Sequence, residues 1–219
     1  MSLNLLMLGP PGAGKGTQAE RFARSRGIPK VSTGDILREA VQTRTPIGLR
    51  AMEIMNRGEL VSDDVMIGIV RERLDRKDAA GGFVLDGFPR TVAQASALDS
   101  IMIGRDPLIV IDIVVPEEEL VRRLSTRLIC EVCGANATVK NDRTCERCGG
   151  RLMQRTDDSS AVVLERLKVY HQQSEPLVEY YRVRPTFRSI NGAQSQEQVA
   201  ADLSAAIAAV GNGAAGGQP

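Results

Sequence analysis

The stretch that most restricts what this chain can become is "GPPGAGKGT" (9–17), set directly behind the apolar run "LNLLML" (3–8). Gly9, Gly14, Lys15 and Thr17 fit the pattern Gly-x-x-x-x-Gly-Lys-Ser/Thr in its proper place between a strand and a helix. There, successive glycines let backbone N–H groups turn inward around a polyphosphate. The helix starting near Lys15 adds the positive end of its dipole, and the Lys15 ammonium reaches the outer phosphates. Gly12, Ala13 and Gly16 complete the cradle, and Thr17 offers its hydroxyl to a magnesium ion. A glycine-rich connector is the competing reading, and the strand–loop–helix context disfavours it.

A loop of this kind belongs to an α/β fold, and the remaining chain alternates accordingly. "IPKVS" (28–32), "GGFVLD" (81–86), "PLIVIDIVV" (107–115) and "TFRSI" (186–190) read as further strands. Helices are expected over 15–26, 35–57, 63–77, 91–103, 117–127, 161–182 and 196–209. Thr91 with Gln94, and Ser195 with Gln198, have capping-box spacing, and Pro116 before three glutamates suits a first helical turn. The fold expected is a parallel sheet with helices on both faces. The tail "GNGAAGGQP" (211–219) has little to bury and is expected to be disordered.

Charge and cysteine usage narrow the function. With 28 Lys and Arg against 27 Asp and Glu, the net charge of +1 provides no general field for nucleic acid or an anionic membrane, so basic function is local. No apolar run approaches the ~20 residues of a bilayer span, and no secretion signal is visible; a cytoplasmic protein is expected. All four cysteines lie between 130 and 148, which favours metal ligation over disulfides in such a compartment.

Two further stretches carry chemistry. "VSTGDILREA" (31–40) places Thr33 and Asp35 at a helix start with Arg38 one turn along, suited to a second anion. "LDGFPRT" (85–91) puts Asp86 at the carboxyl end of an apolar strand, where ligands collect in open α/β sheets, with Arg90 four residues on. In isolation, either arginine would read as a solvated surface group.

Together "GPPGAGKGT", "STGDILR" and "DGFPRT" followed by Gln94 resemble the nucleoside monophosphate kinases, and the adenylate kinases in particular. The similarity continues through "GELVSDD" (58–64), "RRLSTR" (122–127), "QRTDD" (154–158), "RLKVYH" (166–171) and "INGAQ" (190–194). The resemblance implies a core of residues 1–31, 62–125 and 159–210 with two inserted flaps, one over the monophosphate at 32–61 and a lid at 126–158. It implies reversible transfer of a phosphoryl group from MgATP to AMP, giving two ADP, by a monomer.

By the same resemblance, Lys15, residues 12–17 and Gln194 hold ATP, with Arg127 beside its base, while Arg38 and Arg90 grip the AMP phosphate. Thr33, Glu59, Leu60, Val61, Gly87, Phe88, Pro89 and Gln94 line the AMP pocket, Gln94 as base reader, and Arg123, Arg127, Arg155 and Arg166 surround the transferring group. Phosphoryl transfer through a loose, charge-dispersed state independently calls for such cations and for no covalent intermediate. Arginine forks also stay charged when water is excluded. Asp86 is read as acting near magnesium through water, not as a general base, and His171 as structural.

"CEVCG" (130–134) and "CERCG" (145–149) are two Cys-x-x-Cys knuckles, so Cys130, Cys133, Cys145 and Cys148 can surround one structural zinc, with disulfides or free thiols the alternative. The eleven residues between them predict a compact ribbon. "GANATVKN" (134–141) lacks the aromatic that zinc-lid adenylate kinases often place near the ATP base, which leaves room for a broader donor range including GTP. UMP, CMP or GMP are alternative acceptors. A zinc-ribbon ATPase that binds nucleic acid would want a basic, aromatic-bearing ribbon; residues 126–158 have arginines nearly balanced by acids and no aromatic.

Overall fold

The computed structural model describes residues 2–137 and 144–215. Its strands are β1 (Leu3–Leu8), β2 (Lys30–Ser32), β3 (Gly82–Asp86), β4 (Leu108–Val114), β5 (Leu128–Cys130), β6 (Leu152–Gln154) and β7 (Phe187–Asn191). Five of them form one parallel sheet in the order β2-β3-β1-β4-β7, while β5 and β6 make an antiparallel ribbon. All five strands expected from apolar runs are present in the sheet.

Those runs are nearly continuous because the sheet is buried on both faces. Along β1, Leu5 and Met7 point into one core while Leu6 and Leu8 point into the other. In β4, Ile109, Ile111 and Ile113 join the first and Leu108 and Val110 the second, the alternation that a pleated strand imposes. The first face is covered by α1 (Lys15–Arg26), which contributes Phe22. The second receives Leu37 from α2 (Thr33–Gln42), Ala51 from α3 (Pro46–Asn56), Val70 from α4 (Asp63–Leu74) and Leu98 from α5 (Val92–Ile101). Leu124 of α6 (Glu117–Ser125) and Leu167 of α7 (Ser160–Val169) return to the first face, Tyr181 of α8 (Pro176–Arg182) to the second, and Leu203 of α9 (Gln196–Ala215) to the first. Each fully buried leucine or phenylalanine contributes ~1.5–3 kcal/mol.

Three helical expectations differ from the structure. The run expected over 35–57 is two helices, because Thr45 caps α3 by accepting the Gly48 N–H at 3.0 Å and Pro46 occupies its first turn. Gly48 is required there, since a Cβ would stand 1.9 Å from the Ala40 carbonyl oxygen of α2. The run over 161–182 is divided by a wide turn at Tyr170–Ser174, closed by the Glu175 N–H on the Tyr170 carbonyl, before Pro176 opens α8. Finally, α9 runs on to Ala215, so 211–215 are helical and not part of a disordered tail; 216–219 lie outside the described residues. Its start has the expected capping box, with Ser195 and Gln198 exchanging hydrogen bonds of 3.2 and 3.3 Å.

The chain leaves β1 through α1 on one face and leaves the adjacent β3 through α5 on the other. Divergent exits of this kind open a crevice at the carboxyl ends of two neighbouring strands.

Candidate active site and metal centre

Into that crevice β1 delivers the glycine-rich loop. Gly9, Gly12 and Gly14 all have positive φ (131, 87 and 94°), which lets the loop fold back over the start of α1. At Gly9 a side chain is also excluded sterically, since a Cβ would lie 2.6 Å from the Ile113 carbonyl oxygen of β4. Lys15 arches over the loop and donates to the Gly9 and Pro10 carbonyls at 2.6 and 2.8 Å. Burial lowers its ammonium to about 8, opposed by the charge of Asp86.

β3 delivers the second group. Asp86 ends the strand beside Met7 of β1 and Ser32 of β2, and its Oδ2 lies 3.1 Å from where a Cβ on Gly16 would stand. Thr17 and Asp86 thus bring oxygen atoms of the hard type that magnesium takes to the cavity beside the phosphate loop. Arg90 follows, its Nε donating to the Gly87 carbonyl at 2.8 Å. Across from it, Arg38 is held by Asp35, which also takes Lys30 at 2.9 Å. Burial would raise the Asp35 carboxyl, but Arg38 and Lys30 override it and hold it down to about 2.

Loop, Arg38 and Arg90 line one cavity of about 1420 Å³, together with Arg123, Arg127, Arg155 and Arg166. Two neighbouring carboxylates orient three of these arginines. Asp158 receives Nε of Arg127 at 2.7 Å and Nη1 of Arg166 at 2.9 Å, while Asp157 takes a two-pronged contact from Arg155 at 2.8 and 2.7 Å. Burial alone would raise Asp157; Arg166 and Arg155 hold it down to about 2. Burial lowers Arg166 to about 10, with Asp157 opposing, so it stays charged at neutral pH. Arg123 is fixed by Glu119 at 2.7 Å and by the Gly192 carbonyl at 2.9 Å.

Glu59, Leu60, Val61, Gly87, Pro89 and Gln194 also line the cavity, but three residues expected there do not. Phe88 is fully buried in the second core, and Thr33 is buried with its hydroxyl donating to the Gly87 carbonyl at 2.8 Å. Gln94, 1% exposed, has its amide paired within the protein: Oε1 accepts from the Arg90 N–H at 2.8 Å and Nε2 donates to Asp63 Oδ1 at 2.7 Å. Each end of that amide retains one further hydrogen-bonding valence.

The β5–β6 ribbon carries the four cysteines, none of them in a disulfide. Their sulfurs lie within 4.8 Å of one another, with Cys130–Cys148 at 3.4 Å and Cys133–Cys145 at 3.6 Å. A tetrahedron with Zn–S near 2.3 Å has edges of about 3.8 Å, whereas a disulfide needs ~2.05 Å, so the set fits one ion. The knuckles are shaped for this: Gly134 and Gly149 donate back to the Cys130 and Cys145 carbonyls at 2.9 and 2.7 Å, and the Cys133 N–H points at Cys130 Sγ. That N–H is the main reason the Cys130 thiol is lowered to about 6. A Cβ on Gly150 would meet Cys130 Sγ at 2.8 Å, so the cradle admits only glycine there. Of the stretch expected to lack a base-stacking group, Ala135, Asn136 and Ala137 line the cavity, while 138–141 lie outside the described residues.

The family described as adenylate kinase matches residues 7–186. The chain belongs to the adenylate kinase family. It is 50% identical over 212 residues to the adenylate kinase of Archaeoglobus fulgidus, covering 94% of this chain and 98% of that protein. The adenylate kinase of a Geobacillus species is 49% identical (92% and 96% covered) and that of Geotalea daltonii 48% (90% and 95%). Members of the family are phosphotransferases, and this chain is an enzyme of that class.

Within this adenylate kinase fold, the carboxylates that orient the arginines were missed as functional groups. Asp157 and Asp158 stand in the quoted motif "QRTDD", but an acid beside an arginine reads as a solvated pair until α7 brings Arg166 against both. His171 bridges Glu175 at 3.0 Å and Glu117 at 3.2 Å, away from the cavity lining; the Glu175 hydrogen bond is the main cause of its raised pKa. No described helix is long and apolar enough to cross a membrane.

Proposed function

We propose that the chain catalyses ATP + AMP ⇌ 2 ADP, with magnesium, as a cytoplasmic monomer that binds no nucleic acid. One observation carries the reading: Lys15, Arg38, Arg90, Arg127, Arg155 and Arg166 surround a single cavity of about 1420 Å³, larger than the ~300–1,000 Å³ of an ordinary one-ligand site. Polyphosphate binds in the loop 12–17 under Lys15. The acceptor phosphate lies between Arg38 and Arg90, with its nucleoside against Glu59, Leu60 and Val61 of the flap 32–61 and against Gly87 and Pro89 of the β3–α5 connection.

Attack by a phosphate oxygen needs no proton removed, so the side chains act by alignment and by charge. Arg123, Arg127, Arg155 and Arg166 receive the equatorial oxygens of the moving group, and Asp157 and Asp158 keep three of these forks from folding away. Thr17 by its hydroxyl and Asp86 through water would hold magnesium, which when bound would supply neutralising charge to the phosphates. Zinc in the ribbon is structural, because four protein thiolates leave no open position. The lid 126–158 excludes water, the competing acceptor, and its reopening limits turnover.

A coupled assay across a panel of monophosphates tests this, with AMP expected to be the best acceptor. UMP matching AMP would overturn the acceptor assignment while leaving the reaction class standing. Calorimetry is expected to find two nucleotide sites and tight binding of two adenosines joined through five phosphates; room for one nucleotide would overturn the whole reading. A broader donor range that includes GTP is favoured by one observation, that the described ribbon residues lining the cavity provide no aromatic face for the donor base.

A further inference from the structure

We propose that Lys30 is a positioning residue for the acceptor phosphate, acting through Asp35 to hold the Arg38 guanidinium; this rests on the reading that Arg38 grips that phosphate. Lys30 opens β2, the edge strand of the sheet, and its side chain is only 19% exposed. An ammonium placed so deep is costly unless it is paired. Its Nζ lies 2.9 Å from Asp35 Oδ2 and 3.6 Å from Oε2 of Glu20 on α1. Burial would lower it, but Asp35, helped by Asp86 and Glu20, overrides that and holds it above the ordinary lysine value, so it is charged at neutral pH. Lys30, Glu20, Asp35 and Arg38 all line the cavity.

Asp35 joins the two cations. Ser32 caps α2 by accepting the Asp35 N–H at 3.3 Å, which sets the carboxylate in the first helical turn. Its Oδ1 accepts from Arg38 Nη2, one turn along, and its Oδ2 faces Lys30, so each oxygen has its own cation. Gly34 makes room for this: a Cβ there would stand 3.1 Å from both Nη1 and Nη2 of Arg38. The guanidinium thereby lies back over the start of the helix. An aspartate and an arginine three residues apart on a partly exposed helix face hold their geometry weakly by themselves. Lys30 comes from the sheet and not from α2, so it ties the carboxylate, and with it the arginine, to a rigid element next to β3. Charge acts in the same direction. Without Lys30, Asp35 would neutralise Arg38 and compete with phosphate for its fork; with two cations on one carboxylate, the group keeps a net positive charge for the incoming anion. Glu20 does not cancel it, being shared in turn with Arg147 of the ribbon at 3.8 Å.

The test uses the whole enzyme with AMP and MgATP varied separately. Lys30→Met keeps the apolar stem and removes the charge; it should raise the KM for AMP about fivefold and leave the ATP KM within twofold of wild type. Lys30→Arg keeps a cation within reach of Asp35 and should return the AMP KM to within about twofold. In an Asp35→Asn background, Lys30→Met should change the AMP KM by less than twofold, because the carboxylate through which Lys30 acts is gone. A full fivefold loss in that background would make Lys30 a direct or long-range attractor of phosphate and overturn the proposal. So would an AMP KM in Lys30→Met within twofold of wild type, an equal rise in the ATP KM, or no recovery in Lys30→Arg. If Lys30→Met does not fold, Lys30→Gln, uncharged but polar at its end, is carried through the same measurements. Arg38→Ala is the control: should it leave the AMP KM and kcat intact, the reading of Arg38 fails and this proposal falls with it. With Arg38→Ala impaired, a negative result counts against Lys30 alone.

Discussion

The sheet and the cysteine ribbon solve the same problem with different means. β1 and β4 are buried on both faces and pack against helices over nearly their whole length, so the sheet is held by apolar surface in two continuous cores. The ribbon has strands of three residues each, and its own buried cluster consists of Cys130, Cys145 and Leu152. Two short strands are marginal in water. A ribbon this small, outside the two main cores, has to find its order from within, and its four clustered cysteines are placed to supply it by holding one ion.

The largest expected effect tests whether the sheet needs its own active site. Lys15→Ala should lower kcat/KM roughly a thousandfold while leaving the melting temperature within about a degree, since glycines set the backbone of the loop and the cost of burying the ammonium offsets its two hydrogen bonds to the loop carbonyls. A large fall in stability, measured calorimetrically, would show that site and core are not separable.

Next, elemental analysis is expected to find about one zinc per chain in the wild type and none in Cys145→Ser, whose melting temperature should fall by roughly 5–10 °C with activity retained well below that temperature. Equal early loss of activity and metal would assign the ion to chemistry.

A smaller difference appears in acid. Asp157 has its carboxyl depressed to about 2 in the folded chain, against ~3.9 in an unfolded one, so its contribution is fully present above the unfolded value and is lost as pH falls from about 4 toward 2. The effect is of order 2 kcal/mol, and Asp157→Asn should remove that part of the acid transition, followed by fluorescence of a label on the ribbon. An unchanged transition would mean that the arginines do not hold the lid root together.

The smallest effect concerns the contact between the two regions, Arg147 of the ribbon with Glu20 of α1 at 3.8 Å, both about half exposed. Arg147→Ala should cost under ~1 kcal/mol and speed lid opening slightly at low salt, an effect absent at high salt. A large effect in stopped-flow closure kinetics would make this pair a latch.

The sheet strands, the phosphate loop and the cysteine knuckles were all legible in the sequence, because each is a local pattern with strict geometry: buried parallel strands need apolar runs, the loop needs glycine at fixed offsets, and the knuckles that hold a tetrahedral ion need pairs of thiols separated by two residues. Even the missed break before α3 was written locally, in Thr45 and Pro46. What the tertiary structure alone decided is which charged and polar groups meet. Asp158 is 31 residues from Arg127, and Asp63 is 31 from Gln94; nothing in either neighbourhood marks the partner. Hydrogen bonds reach about 3 Å and depend on the topology that folds distant segments together, whereas hydrophobic periodicity and turn chemistry act between neighbours along the chain. The sequence by itself determined the kind of fold and the kind of site, and the folded chain determined how each arginine and amide in that site is held.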